Sequence, residues 1–221
     1  MSVKNYFQRK KMKSHKQQKF NQIVKDIKSI KIQGARNVAK SALGAYFLIP
    51  TKRSKNTLIK TRPTEPMLHK VLNEIDKKSY YEVLGHFNFA QSEINKKIFK
   101  IIKNKSVIFT HCHSTNVVNA LIYSKKKGKK FEVFNTETRP LFQGRKTAED
   151  LRNAKIKVTM FVDSALGIAL KKADVVFLGS DAILKDGVIN KIGSGLIAET
   201  AFNHKIPVYI VADSWNFSKN K

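Results

Sequence analysis

Apolar positions follow two rhythms along the chain, and the change between them comes near residue 105. Before it they recur every three or four residues. FNQIVKDIKSIKI sets Phe20, Ile23, Val24, Ile27 and Ile30 along one stripe of a helix. ARNVAKSALGAYFLI continues with alanine-rich, helix-favouring sequence up to Pro50. TKRSKNTLIKTRPTEP, with two prolines, predicts a loop, and MLHKVLNEIDKKSYYEVLGHFNFAQSEINKKIFKIIK returns to helical period. After residue 105, short β-branched and aromatic runs predict strands over 106–110, 130–136, 157–162, 174–179 and 207–212. Helices are predicted between them over 115–127, 146–154, 164–173 and 193–204. Buried-looking strands alternating with helices of this length build βαβ units and a parallel sheet. The expected fold is therefore α/β: a small helical N-terminal domain over 21–104, then a doubly wound, largely parallel, Rossmann-like domain over 105–221. Residues 1–20 stand apart as a basic arm with seven lysines and arginines and no acid.

Composition narrows the function classes. Apolar residues make up 42% of the 221, enough for a real core and against global disorder. A single cysteine excludes an internal disulfide framework and any multi-cysteine metal site within one chain. No run of signal-peptide or membrane-spanning type occurs, so a cytoplasmic protein with no membrane contact is expected. The net charge of +27 suits a polyanion, and the arm is where nucleic acid would touch. Against that, only 7 of the 43 basic residues are arginine, the side chain that grips phosphate and guanine bidentately. Lysines spread over solvated faces describe the charge better, and such a field concentrates small anionic substrates.

Candidate chemistry collects where the predicted strands end. THCHST (110–115) puts Cys112 between His111 and His113 at a strand-to-helix junction. The later strands are followed by Glu137 and Arg139, by Asp163, by Asp181 and by Asp213. In open α/β sheets ligands bind beyond the carboxyl ends of the strands, so one rim carries the polar groups. Consecutive residues diverge in extended chain, which disfavours a metal held by 111–113, and no metal is expected. A protease-like thiol with an adjacent histidine is disfavoured on the same geometry. Acid–base work fits better: Cys112 lies at or just before a helix start, where free N–H groups and the dipole favour a thiolate. Ser114 is a natural cap, and the amides after it suit a phosphate. GSGLIA (193–198) copies the glycine spacing of a dinucleotide fingerprint but follows a polar, turn-like stretch. It reads as a helix start able to meet phosphate, and no cofactor is implied.

Seven segments in order resemble one family: IKIQGARNVAKSAL, TRPT, FTHCHS, TETRPLFQG, VDSALG, LGSDAILKDGVINKIGS and VYIVADSWNF. It unites the alpha, beta and delta subunits of translation initiation factor 2B with two sugar-phosphate isomerases. THCHS and DGVINKIGS look most like the archaeal ribose 1,5-bisphosphate branch. The resemblance implies isomerisation of that sugar phosphate to ribulose 1,5-bisphosphate, with Cys112 as proton acceptor and Asp181 as donor. It implies substrate contacts at Gln33, Gly34, Ala35, Arg36, Arg62, Ser114, Thr115, Asn116, Asn190 and Lys191. It also implies a homo-oligomer, dimer or higher. Asn216 is also expected to contact substrate: it stands where the family's Y-K-F motif carries a substrate lysine and can hydrogen-bond a phosphate but brings no charge, with Lys219 the nearest cation to replace it. The turn QGAR is poorer in glycine than the isomerases' R-G-A-G, and the family's pattern continues past Lys221. The alternative implied is a non-catalytic subunit of initiation-factor-2B type, binding a nucleotide or sugar phosphate and protein partners.

Overall fold

The computed structural model describes residues 3–218, with side chains from 11 to 218. The chain forms two compact units, 1–85 and 86–221. In the first lie α1 (Val3–Lys28), α2 (Ala35–Leu48), α3 (Lys52–Ile59), α4 (Pro66–Glu74) and the start of α5 (Tyr80–Ile101). Phe20 and Ile27 of α1, Val38, Ala42 and Ala45 of α2, Leu58 of α3, and Leu68 and Leu72 of α4 make its core. From Val3 on the basic arm is the start of α1, and residues 11–19 are exposed on every side, as a solvated helix would be. Lys219 and the side chains of residues 1–10 lie outside the described residues.

The loop expected over 51–66 is a correction. Thr51 caps a helix there, its hydroxyl oxygen accepting the N–H of Ser54 at 3.1 Å. One buried leucine, Leu58, anchors α3 among residues that are otherwise mostly polar, so the apolar period was too thin to see. Pro66 then opens α4 at a position where its missing N–H costs nothing.

The second unit continues α5 and adds β1 (Ser106–Thr110), α6 (Thr115–Lys126), β2 (Phe131–Thr136), α7 (Gln143–Asn153) and β3 (Lys157–Phe161). There follow α8 (Leu166–Leu170), β4 (Val175–Leu178), β5 (Ala182–Ile183), β6 (Val188–Ile189), α9 (Ser194–Asn203) and β7 (Val208–Ile210). Five strands form one sheet in the order β3-β2-β1-β4-β7, every pairing parallel. The short antiparallel pair β5–β6 lies in the stretch expected to be turn.

Side chains alternate across the sheet as the pleat requires. Ile108, Val133, Val175 and Phe177 face a core shared with Ile98 of α5, Ile102 just after it, Val117 and Leu121 of α6, and Leu151 of α7. Their neighbours Phe109, Phe134, Val176 and Leu178 face Leu170 of α8 and Ile197 and Ala201 of α9. With helices on both faces the central strands are buried throughout, which is why they read as continuous apolar runs. From β1 the chain winds outward to β2 and β3, then returns to β4 and β7 on the other side. The turning point falls between β1 and β4, where a crevice opens at their carboxyl ends. No described helix is long and apolar enough to cross a membrane.

Phe109, fully buried on β1, is the test of this two-faced core. Phe109→Ala should lower unfolding free energy by about 3–5 kcal/mol, read from the urea midpoint at unchanged m-value.

Candidate active site at the β1–β4 crevice

The crevice is built from the end of β1. Thr110 donates its hydroxyl to the Phe177 carbonyl of β4 at 2.8 Å, tying the two strands at their exits. The next residue, His111, is buried, and its Nε2 lies 2.9 Å from the Ile192 carbonyl. A carbonyl only accepts, so Nε2 carries the proton and Nδ1 accepts from the Thr136 hydroxyl. Burial holds His111 below the ordinary histidine range and keeps it neutral at pH 7. His113 has the opposite tautomer: Thr147 spends its proton on the Cys112 carbonyl at 2.8 Å and accepts from His113 Nδ1 at 3.0 Å. Burial lowers its pKa too, partly countered by Asp150.

Between them Cys112 adopts φ +66°, the left-handed region, at a cost of about 1–3 kcal/mol for a residue with a side chain. Both flanking peptide groups are held there. Its N–H donates to Thr138 Oγ1 at 2.9 Å, and its carbonyl takes the Thr147 hydroxyl. Thr138 is itself left-handed at +64°, and its N–H and that of Arg139 donate to the Asp163 carboxylate at 2.8 and 2.7 Å. Burial works against the charge on Asp163, but those two N–H groups outweigh it and keep the carboxyl below its usual range. Asp163 thus serves the loop after β2 as a backbone clamp.

Loss of water pushes the Cys112 thiol above its ordinary 9.0. The His113 N–H and the Lys191 charge pull it down, and the Asp181 charge pushes it further up. The thiolate expected from the helix start is therefore not the resting form. The cap of α6 is Ser114, two residues on, and dehydration of the sulfur dominates. The same electrostatics bring Cys112, Asp181 and Lys191 into one neighbourhood. Gly179 makes the approach close: a Cβ there would stand 2.7 Å from Ser114 Cβ and 2.8 Å from its Oγ.

The other expected residues fall as follows. Ser114 caps α6 by accepting the Val117 N–H at 3.5 Å, with Thr115 and Asn116 opening the helix. Asn190 donates to Ser194 Oγ at 2.9 Å, ahead of α9, whose cap Gly193 has φ +97° and backs against the His111 ring. Asn216 is 1% exposed, and backbone groups engage both ends of its amide. In the first unit Gly34 caps α2 with φ +81°, between Gln33 and the buried Ala35, and Arg36 with burial lowers the Lys40 pKa. Arg62 lies between α3 and α4, its Nε shut from water without a hydrogen-bond partner. Glu137 pairs with Arg145 at 2.6 Å, and Arg139 lies over the Phe142 ring at 4.5 Å. Sequence reasoning missed Thr136, Thr138, Thr147 and Gly179. The two threonines at and just after the end of β2 and the glycine just after β4 were the signals; Thr147, inside α7, gave none. Among the described residues no three of His, Cys, Asp and Glu are grouped to hold a metal ion.

Comparison with known proteins agrees with this architecture. A ribose 1,5-bisphosphate isomerase of Thermococcus kodakarensis is 33% identical over 89% of the chain and 72% of its own length. A Pyrococcus furiosus protein named for its likeness to subunit 2 of translation initiation factor eIF-2B is 28% identical over 90% of the chain and 80% of its length. The crystal structure of Pyrococcus horikoshii translation initiation factor eIF-2B superposes with a TM-score of 0.80 at 24% identity, covering 90% of this chain and 79% of that one. That likeness establishes the fold. Residues 47–221 match the family model described as "Initiation factor 2 subunit family". The chain belongs to the initiation factor 2 subunit family.

Proposed function

We propose that the protein is an aldose–ketose isomerase that turns ribose 1,5-bisphosphate into ribulose 1,5-bisphosphate. The observation that carries the reading is that Cys112 after β1 and Asp181 after β4 leave neighbouring strands on the same side of the sheet, with the Asp181 and Lys191 charges acting on the Cys112 thiol, so that a thiol and a carboxyl are each able to pass a proton. The identity to a relative named for that reaction supports the substrate.

The chemistry needs no outside oxidant. Cys112, as thiolate, takes the proton from C2 of the sugar. The C–H electron pair becomes the C1=C2 bond, the bond from C1 to the ring oxygen breaks, and that oxygen receives a proton from Asp181. In the second half the C2 hydroxyl gives its proton to the Asp181 carboxylate, its electrons form the ketone, and C1 recovers the proton from the Cys112 thiol. Both side chains end as they began. Lys191 favours the thiolate and meets phosphate charge, and the α6 N-terminus at Ser114, Thr115 and Asn116 offers amides to a phosphate. Asn190 and, from the first unit, Gln33, Gly34, Ala35, Arg36 and Arg62 are assigned to substrate contact. The orphaned Nε of Arg62 suits a ligand oxygen.

One observation favours the rival reading, a non-catalytic subunit of the initiation-factor type. The position of the family's substrate lysine holds Asn216, buried and engaged with backbone. A relative named for eIF-2B supports the same reading.

Conversion of ribose 1,5-bisphosphate by the purified protein decides between them. Cys112→Ser and Asp181→Asn should each lower kcat by at least about a hundredfold; binding without turnover in the parent would leave the regulatory reading. Because the Cys112 pKa is raised, the thiolate is the minor form at neutral pH. Titration of the thiolate's ultraviolet absorbance in the free protein, which has one cysteine, should therefore give a midpoint above 9.0, and a midpoint near neutrality would overturn the dehydrated thiol. Ile168, Leu196 and Phe202 stand exposed on the adjoining helices α8 and α9, which supports a homo-oligomer joined through apolar surface. Light scattering should give at least twice the chain mass.

A further inference from the structure

Asp181 follows β4 and stands directly ahead of two short strands: β5 and β6 are two residues each, and β6 is exposed. Its own N–H makes one bond, to the Ile189 carbonyl at 2.9 Å. Its carbonyl and that of Ser180 are both gripped from below by a single side chain, the amide of Asn216, at 3.2 and 3.0 Å.

That amide cannot turn over. Its Oδ1 accepts the Asp213 N–H at 2.9 Å, and a flipped amide would set N–H against N–H there and oxygen against two carbonyl oxygens below. Asp213 is fixed in turn. Its buried carboxylate accepts the Trp215 N–H at 2.9 Å and lies 2.7 Å from His86 Nε2. The His86 ring lies flat on the Trp215 indole, centroids 3.6 Å apart and 6° between planes. A chain of contacts thus runs from the face of α5 to the peptide groups of Asp181.

We infer that Asn216, oriented by the His86–Asp213 pair, is a positioning residue that sets where the Asp181 carboxyl stands. The inference rests on the isomerase reading for its effect on rate, while the hold on the segment is measurable without turnover. Uncharged and buried, Asn216 acts on peptide carbonyls instead of on a substrate phosphate, so its loss should appear in kcat and leave KM nearly alone.

Two measurements on the full chain test this. Asn216→Asp removes the donor and turns oxygen toward two carbonyls. Asn216→Ser, the gentler change, removes the reach. In both, hydrogen exchange of peptides spanning residues 180–190 should speed at least about tenfold, with peptides of β1 and β2 unchanged. In turnover, kcat should fall by about a hundredfold and KM by less than about threefold either way. His86→Gln keeps a donor and loses the stack; His86→Phe keeps a stack and loses the donor. The inference expects the glutamine variant to retain the higher kcat and the slower exchange. Unchanged exchange at 180–190 in the Asn216 variants overturns it, as does a rise in KM at constant kcat or a better-performing phenylalanine variant. A parent without turnover overturns only the isomerase reading, and exchange then decides the positioning role.

Discussion

The pairing of β1 with β4 is the constraint on which the rest of the molecule hangs. Their register, Thr110 opposite Phe177, leaves Cys112 two residues beyond one strand and Asp181 three residues beyond the other. A single-residue slip would turn every side chain of one strand to the wrong core, so burial on both faces protects the register. The geometry of the crevice is thereby guarded by hydrophobic packing some distance beneath it. Gly179 and the Thr110 hydroxyl close the joint at the top, one by having no side chain, the other by reaching across.

Above that joint the polar rim divides its labour. Asp163 and the threonines 136, 138 and 147 spend their hydrogen bonds on backbone and histidine rings, which fixes the chain on both sides of Cys112. Both histidines of THCHST are kept neutral by burial and are committed to structure: His111 to the turn before α9, His113 to Thr147. A motif that looks like three reactive residues in a row is a half-buried thiol between two struts.

Much of this was written plainly in the chain. The five strands and their parallel, doubly wound sheet were legible in runs such as SVIFT and DVVFLG, because a strand buried on both faces has no polar alternation to blur it. The order of the strands in the sheet was not predicted from those runs. What else could not be read was of two kinds. Local backbone states, such as left-handed Cys112 and Thr138, are imposed by partners more than twenty residues away, and no short-range pattern encodes them. The state of the thiol is set by how much water it loses, a property of packing, so the helix-start argument gave the wrong sign. Asn216 combines both difficulties: its place in the motif suggested a ligand group, and its burial gave it to the backbone.

The dehydration of Cys112 reaches beyond proton transfer. Peroxide and electrophiles attack the thiolate, and their rates follow the fraction of sulfur that carries charge. A thiol held protonated until something enters the crevice is poorly reactive toward such agents while it waits. The protein's one sulfhydryl is thus kept in its less reactive, protonated form by the same loss of water that raises its pKa.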